Sequence, residues 1–132
     1  MRTTVLLNSE ISSVISNMGH TDTLAIGDCG LPIPEYVQRI DLAVKKGVPD
    51  FLTVLDTVLE ELCVEKIVLA EEIKAASPEM HAEILKRFGE KVAVEYVPHT
   101  QFKQATCDSR AIVRTGECTP YANIILQSGV TF

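Results

Sequence analysis

Short apolar runs alternate along the chain with amphipathic stretches of helical period, and this rhythm restricts the fold more than any other feature. The runs at 23–27, 66–70, 92–97, 111–113 and 123–126 read as strands, and 37–44 reads as extended despite Arg39 and Asp41. Between them lie four helical segments. Residues 9–18 place Ile11, Val14, Ile15 and Met18 at helical spacing, with Asn8 or Ser9 as the N-cap and Gly19 as the stop. Pro49 opens a second helix whose apolar face is Phe51, Leu55, Val58, Leu59 and Leu62. Ser77-Pro78 starts a third, with Met80, Ile84, Leu85 and Phe88 inward and Gly89 at its end, and a short one follows from His99. Strands that alternate with helices pair in parallel, because the helix supplies the crossover. The expectation is a single α/β domain over residues 1–132, a largely parallel, Rossmann-like sheet with helices on both faces.

Composition narrows the class further. Hydrophobic residues make up 46% of the chain, enough for a core, and with 5% aromatics and no Trp that core must be aliphatic. A formal charge of −6 disfavours nucleic acid or an anionic membrane surface as partner. No apolar run approaches the ~20 residues of a membrane span, and the start does not read as a signal peptide, so a cytoplasmic protein with no membrane insertion is expected. The four cysteines, Cys29, Cys63, Cys107 and Cys118, are irregularly spaced with no His three to five residues away. No zinc pattern exists; no metal is expected, and the thiols read as small apolar side chains.

Ligands of parallel sheets gather beyond the carboxyl ends of the strands. Asp28 and His99 both fall just after a strand. Asp28, in Gly27-Asp28-Cys29-Gly30, suits either a ligand contact or an Asx-turn opening the Pro-containing loop. His20 follows the first helix, where an imidazole either caps the last carbonyls or donates a proton near neutral pH. His99 and Lys103 are four apart on one helix face, with Phe102 between them assigned to the core. The 114–123 segment ends in Tyr121-Ala122-Asn123, whose Tyr and Asn side chains donate and accept and so match hydroxyl-rich ligands. Glu71 and Glu72 read as an exposed helix start, and His81 as solvent-facing. There is no phosphate loop, and the Gly-x-Gly-x-x-Gly of dinucleotide folds is missing.

Taken in order, Asn8-Ser9, Gly19-His20-Thr21-Asp22, Asp28-Cys29-Gly30-Leu31-Pro32-Ile33-Pro34, Glu71-Glu72-Ile73-Lys74, His99 with Phe102-Lys103, Arg114-Thr115-Gly116-Glu117, Tyr121-Ala122-Asn123 and the closing Gly129-Val130-Thr131-Phe132 resemble the D-ribose pyranase family of ribose and fucose mutarotases. The resemblance spans nearly the whole chain. It departs at Cys29, where Ala is more usual in the family. It implies cofactor-free interconversion of the β-pyranose and β-furanose forms of D-ribose, with His20 as the catalytic proton donor. Asp28, His99, Tyr121, Ala122 and Asn123 are the substrate-binding positions it implies, and Lys103 is a further candidate. It also implies a homo-oligomer, a decamer of two pentameric rings.

That activity needs a proton delivered to the ring oxygen of a hemiacetal and another taken from the anomeric hydroxyl, with no change of oxidation level. A non-catalytic sugar-binding accessory of ribose uptake is the alternative. It would need the hydroxyl contacts but no proton donor. The strand expected at 23–27 separates His20 from Asp28 by about 15 Å, so a site using both is expected to be shared between subunits.

Overall fold

Four of the five helices start where a side chain or a proline relieves free amides. The computed structural model describes residues 1–132, in the order α1 (Ser9–Asn17), β1 (Thr23–Gly27), β2 (Gln38–Asp41), α2 (Phe51–Leu59), β3 (Val64–Ala70), α3 (Ile73–Ala76), α4 (Pro78–Leu85), β4 (Ala93–Val97), α5 (His99–Thr106), β5 (Ala111–Arg114) and β6 (Ile124–Ser128). Asn8 caps α1, its Oδ1 accepting the Ile11 N–H at 2.9 Å. Asp50 caps α2, so Pro49 sits one residue outside the helix rather than in its first turn. Pro78 does occupy the first turn of α4. Gly19 is not the left-handed stop expected of it: α1 ends when Met18 turns extended, and the positive φ falls on Thr21.

The strands form one sheet of order β2-β5-β1-β6-β3-β4. β1 and β2 flank β5 in parallel, β3 and β4 are parallel, and β6 runs antiparallel to both β1 and β3. The largely parallel sheet is therefore two parallel halves joined by one reversed strand. The 115–123 connection is too short to hold a crossover helix, so it cannot return a parallel strand. It passes instead over the carboxyl end of β1 and drops into β6 on the other side.

Side chains alternate between the two faces, as the strand period requires. Leu24, Ile26, Ala111, Val113, Ile124 and Leu126 join the larger core beneath α1, α2 and α4. Ala25, Ile112 and Ile125 face the other way, onto Phe102 of α5 and onto Leu31 and Val37 of the Pro-containing loop. Helices thus cover both faces, unequally. Phe102 is fully buried, and the ~1.5–3 kcal/mol from burying such a side chain fixes α5 against the strand ends. α3 is a single turn that helical periodicity could not reveal.

Candidate functional site

Asp28 is the first residue beyond β1, and three hydrogen bonds hold it. Asn123, fully buried, accepts the Asp28 N–H on Oδ1 at 2.8 Å and donates from Nδ2 to Asp28 Oδ2 at 2.9 Å. The Gly30 N–H reaches Asp28 Oδ1 at 2.9 Å, closing the Asx-turn expected here. Each carboxylate oxygen keeps a lone pair for a further donor. The close approach depends on Gly27. A Cβ there would lie 2.5 Å from Leu31 Cδ2 and 3.0 Å from Asn123 Oδ1, so any side chain would push the carboxamide aside.

His99 is the first residue of α5, and its N–H donates to both carboxylate oxygens of Glu72, at 2.8 and 3.1 Å. Its ring stacks on Phe102 at 6.2 Å and meets the edge of Tyr121 at 5.1 Å. The Nδ1 atom is buried with no protein partner, so its hydrogen-bonding capacity is not used within the chain. Tyr121 adopts φ +62°, a conformation most side chains avoid. Asp28, Gly30, Leu31, His99, Pro120 and Tyr121 line a cavity of about 270 Å³. Ala122 and Asn123 lie fully buried beside Tyr121. The cavity therefore presents a carboxylate, an imidazole and a phenol around an aromatic wall, a set matched to vicinal hydroxyls. Glu72, expected at an exposed helix start, is the residue that holds His99. It lies 27 residues from its partner, and nothing local marks that contact.

His20 lies elsewhere. The Gly19 N–H donates to Asp22 Oδ2 at 2.8 Å and the Thr21 N–H to the Ser128 carbonyl at 3.0 Å. These bonds hold a turn in which Thr21 takes φ +72°. The half-exposed His20 ring does not cap α1; its Nε2 meets Glu65 Oε2 of β3 at 2.9 Å. Glu65 also accepts from Gln127 Nε2 at 2.8 Å. The Gln127 bond first, and then the His20 bond and charge, hold the Glu65 carboxyl below the usual carboxylate range. This cleft, about 360 Å³, includes Cys63 and residues 128–132. The five residues of β1 separate it from the Asp28 cavity, roughly 15 Å at strand rise. One chain brings together Asp28, His99, Tyr121, Ala122 and Asn123, and leaves His20 at the opposite sheet end.

Lys103 stands one turn along α5 from His99, in an adjoining cleft with Pro32, Ile33, Pro34 and Cys107. His81 is not solvent-facing as expected: it is half-buried, and its Nε2 meets the Tyr96 hydroxyl at 2.7 Å. Burial foremost, then the charge of Lys74, pushes its imidazole below the ordinary value. The largest cleft, about 820 Å³, borders α4 and the 117–120 segment. Two of its carboxylates are engaged within the protein, Glu117 by the Phe51, Cys118 and Thr119 amides and Glu83 by Lys86 and Arg87. No histidine lines it.

The fold and cavity define a single-domain α/β protein with a hydroxyl-matching pocket at the carboxyl ends of its parallel strands. Residues 1–131 match the RbsD / FucU transport protein family, and the chain belongs to it. It is 57% identical to a D-ribose pyranase of Clostridium perfringens over all of both chains. To a D-ribose pyranase of Geobacillus kaustophilus it is 54% identical, over all of this chain and 96% of that one. Among solved structures, Bacillus subtilis RbsD complexed with D-ribose superimposes with a TM-score of 0.93 at 44% identity, covering 100% of each chain.

Proposed function

We propose that this protein is a D-ribose pyranase, interconverting the β-pyranose and β-furanose forms of D-ribose without a cofactor. The observation that carries the reading is its likeness to D-ribose pyranases along its whole length, at 57% and 54% identity. The pocket built on the Asp28–Asn123 pair gives that likeness a physical counterpart.

The chemistry follows from the groups available. A proton from His20 goes to the ring oxygen, the bond from that oxygen to the anomeric carbon breaks, and the anomeric hydroxyl gives its proton to Asp28 or a water it orients. The open-chain aldehyde then turns, and a different hydroxyl attacks the carbonyl carbon as the two proton transfers run in reverse. Glu65 orients the His20 ring. His99 and Tyr121 hold the remaining hydroxyls, Asn123 acts from behind by fixing Asp28, and Lys103 adds its charge from the adjoining cleft. Because His20 and Asp28 lie at opposite ends of β1, a working site draws them from two subunits, each closed interface repeating the same contact. A ring-based homo-oligomer, a decamer of two pentamers in the cytoplasm, is the assembly the family resemblance supports.

Magnetisation exchange between the ribose ring forms tests the reading. The protein should accelerate exchange above buffer, keep doing so after exhaustive chelation, and lose the effect in His20→Ala. No acceleration by the unaltered protein would overturn it. Unchanged exchange in His20→Ala, alongside intact ribose binding, would remove His20 from the proton-transfer role.

A further inference from the structure

Two thiols face each other beside the loop that carries Asp28, although 89 residues separate them in sequence. Cys29 Sγ and Cys118 Sγ lie 3.8 Å apart, Cys29 half-buried and Cys118 exposed. Their backbones are already joined, since the Cys29 N–H donates to the Glu117 carbonyl at 2.9 Å. The Arg114 guanidinium holds the same loop, its Nε donating to the Cys29 carbonyl at 3.1 Å. Neither sulfur is needed by the proton transfers described above. The other two cysteines have no such neighbour: Cys63 Sγ meets the Val130 carbonyl and Cys107 Sγ the Lys103 carbonyl.

We infer that Cys29 and Cys118 form an oxidation site, closing to a disulfide under a hydroperoxide and reopening under a dithiol reductant. A disulfide needs sulfurs about 2.05 Å apart, so side-chain rotation of two already adjacent groups, rather than chain rearrangement, completes it. Exposure makes Cys118 the first to react. Its thiolate sulfur attacks a peroxide oxygen, the O–O bond breaks, and a sulfenic acid forms as the leaving hydroxide is protonated to water. Cys29 sulfur then attacks the Cys118 sulfur, the S–O bond breaks, and the departing hydroxide takes the Cys29 proton as a second water. Two thiols lose two electrons in total and one hydrogen peroxide becomes two waters. The hydrogen bond between the two sulfurs, foremost, raises the Cys29 thiol above its ordinary value.

The bond would tie together the two segments that carry lining residues of the pocket. Cys29 lies in the chain between the lining residues Asp28 and Gly30, and Cys118 is two residues before Pro120 and three before Tyr121, which also line the cavity. Joining the sulfurs restricts how far the Asp28 loop and the segment carrying Pro120 and Tyr121 can move against each other. The effect on sugar turnover rests on the reading proposed above, whereas bond formation does not.

The test treats the intact protein with hydrogen peroxide and maps cysteines by mass spectrometry of a non-reduced digest. The inference expects a cross-linked peptide pair containing Cys29 and Cys118, lost on dithiothreitol treatment and missing in Cys29→Ala. A cross-link between other cysteines, or Cys29 and Cys118 recovered as unlinked thiols or separate higher oxides, would overturn it. Phenylarsine oxide, which bridges close thiol pairs, gives an independent reading: one equivalent should bind and should be lost in Cys118→Ser. Ribose exchange measured on the same samples should fall several-fold on oxidation and recover on reduction, with Cys29→Ala unaffected. A mapped disulfide with unchanged exchange would overturn the effect on turnover, and an inactive reduced protein would overturn the ribose reading while leaving the disulfide intact.

Discussion

Asn123 holds Asp28 by a reciprocal pair of hydrogen bonds, its Oδ1 accepting the Asp28 N–H and its Nδ2 donating to Asp28 Oδ2. One carboxamide thus satisfies a backbone donor and orients the carboxylate that faces the cavity. Asn123→Ala would leave the Asp28 amide without its partner and free the carboxylate to turn. Leaving a buried donor unpaired costs roughly 1–3 kcal/mol. Chemical denaturation should show a loss of that order, and ribose exchange should fall about tenfold or more, the scale of one misplaced acid–base group. Asn123→Asp should do worse, because it sets a second carboxylate against Asp28. Equal activity in the three proteins would mean that Asp28 needs no fixed orientation.

Glu72 acts on the opposite wall. Its carboxylate receives the first amide of α5 and so sets where the His99 ring stands. Glu72→Ala should destabilise the protein by about 0.5–2 kcal/mol, the range for losing a helix cap. It should also weaken ribose binding, because the His99 ring loses its anchor. Glu72→Gln keeps one acceptor oxygen and should recover most of both. Saturation-transfer titration with ribose separates the two effects: a stability loss with unchanged affinity would show that Phe102 packing alone places the ring.

Which parts of this were legible in the sequence follows from the range of each signal. Asn8, Pro78 and the period-two strands announced themselves because capping and alternation act within a few residues. Asp28 and His99 could be singled out because each directly follows an apolar run. The bond from Glu72 to His99 and the pairing of Cys29 with Cys118 join segments that only the sheet order brings together. The antiparallel course of β6 is of the same kind: an apolar run carries no direction. The shortness of the 115–123 connection was the one available clue.

Glu65 offers a pH test at the other end of β1. Its carboxyl is held below the usual range by Gln127 and then His20. A depressed folded-state value means that its contribution is full above the unfolded-state carboxylate value and is lost as pH falls through the lower folded one. Glu65→Gln should therefore be less stable than the unaltered protein near neutrality, and the difference should vanish in strong acid. Urea midpoints at pH 7 and pH 2 measure this. A gap that persists unchanged at pH 2 would assign the effect to packing rather than to charge.

The last prediction concerns how His20 and Asp28 would reach one sugar in the proposed reaction. Their clefts sit at opposite ends of β1, whose five residues advance about 3.3 Å each, and a ribose ring is far shorter than that span. The intervening residues Leu24, Ala25 and Ile26 are fully buried and paired on both sides to β5 and β6, so β1 cannot shorten to close the gap. A second subunit can, by bringing its His20 cleft against the Asp28 pocket of the first. The exposed Val130 and Phe132 next to His20 are the kind of apolar surface that such a contact would cover. Mixing inactive His20→Ala and Asp28→Asn subunits should then restore part of the activity, because some interfaces pair an intact His20 with an intact Asp28. Random mixing of equal amounts makes roughly a quarter of shared sites intact if each site draws on one interface, so recovery should approach that fraction. Mixed oligomers that form, as native mass spectrometry would show, yet remain inactive would place both residues at a single subunit's site and exclude the shared arrangement.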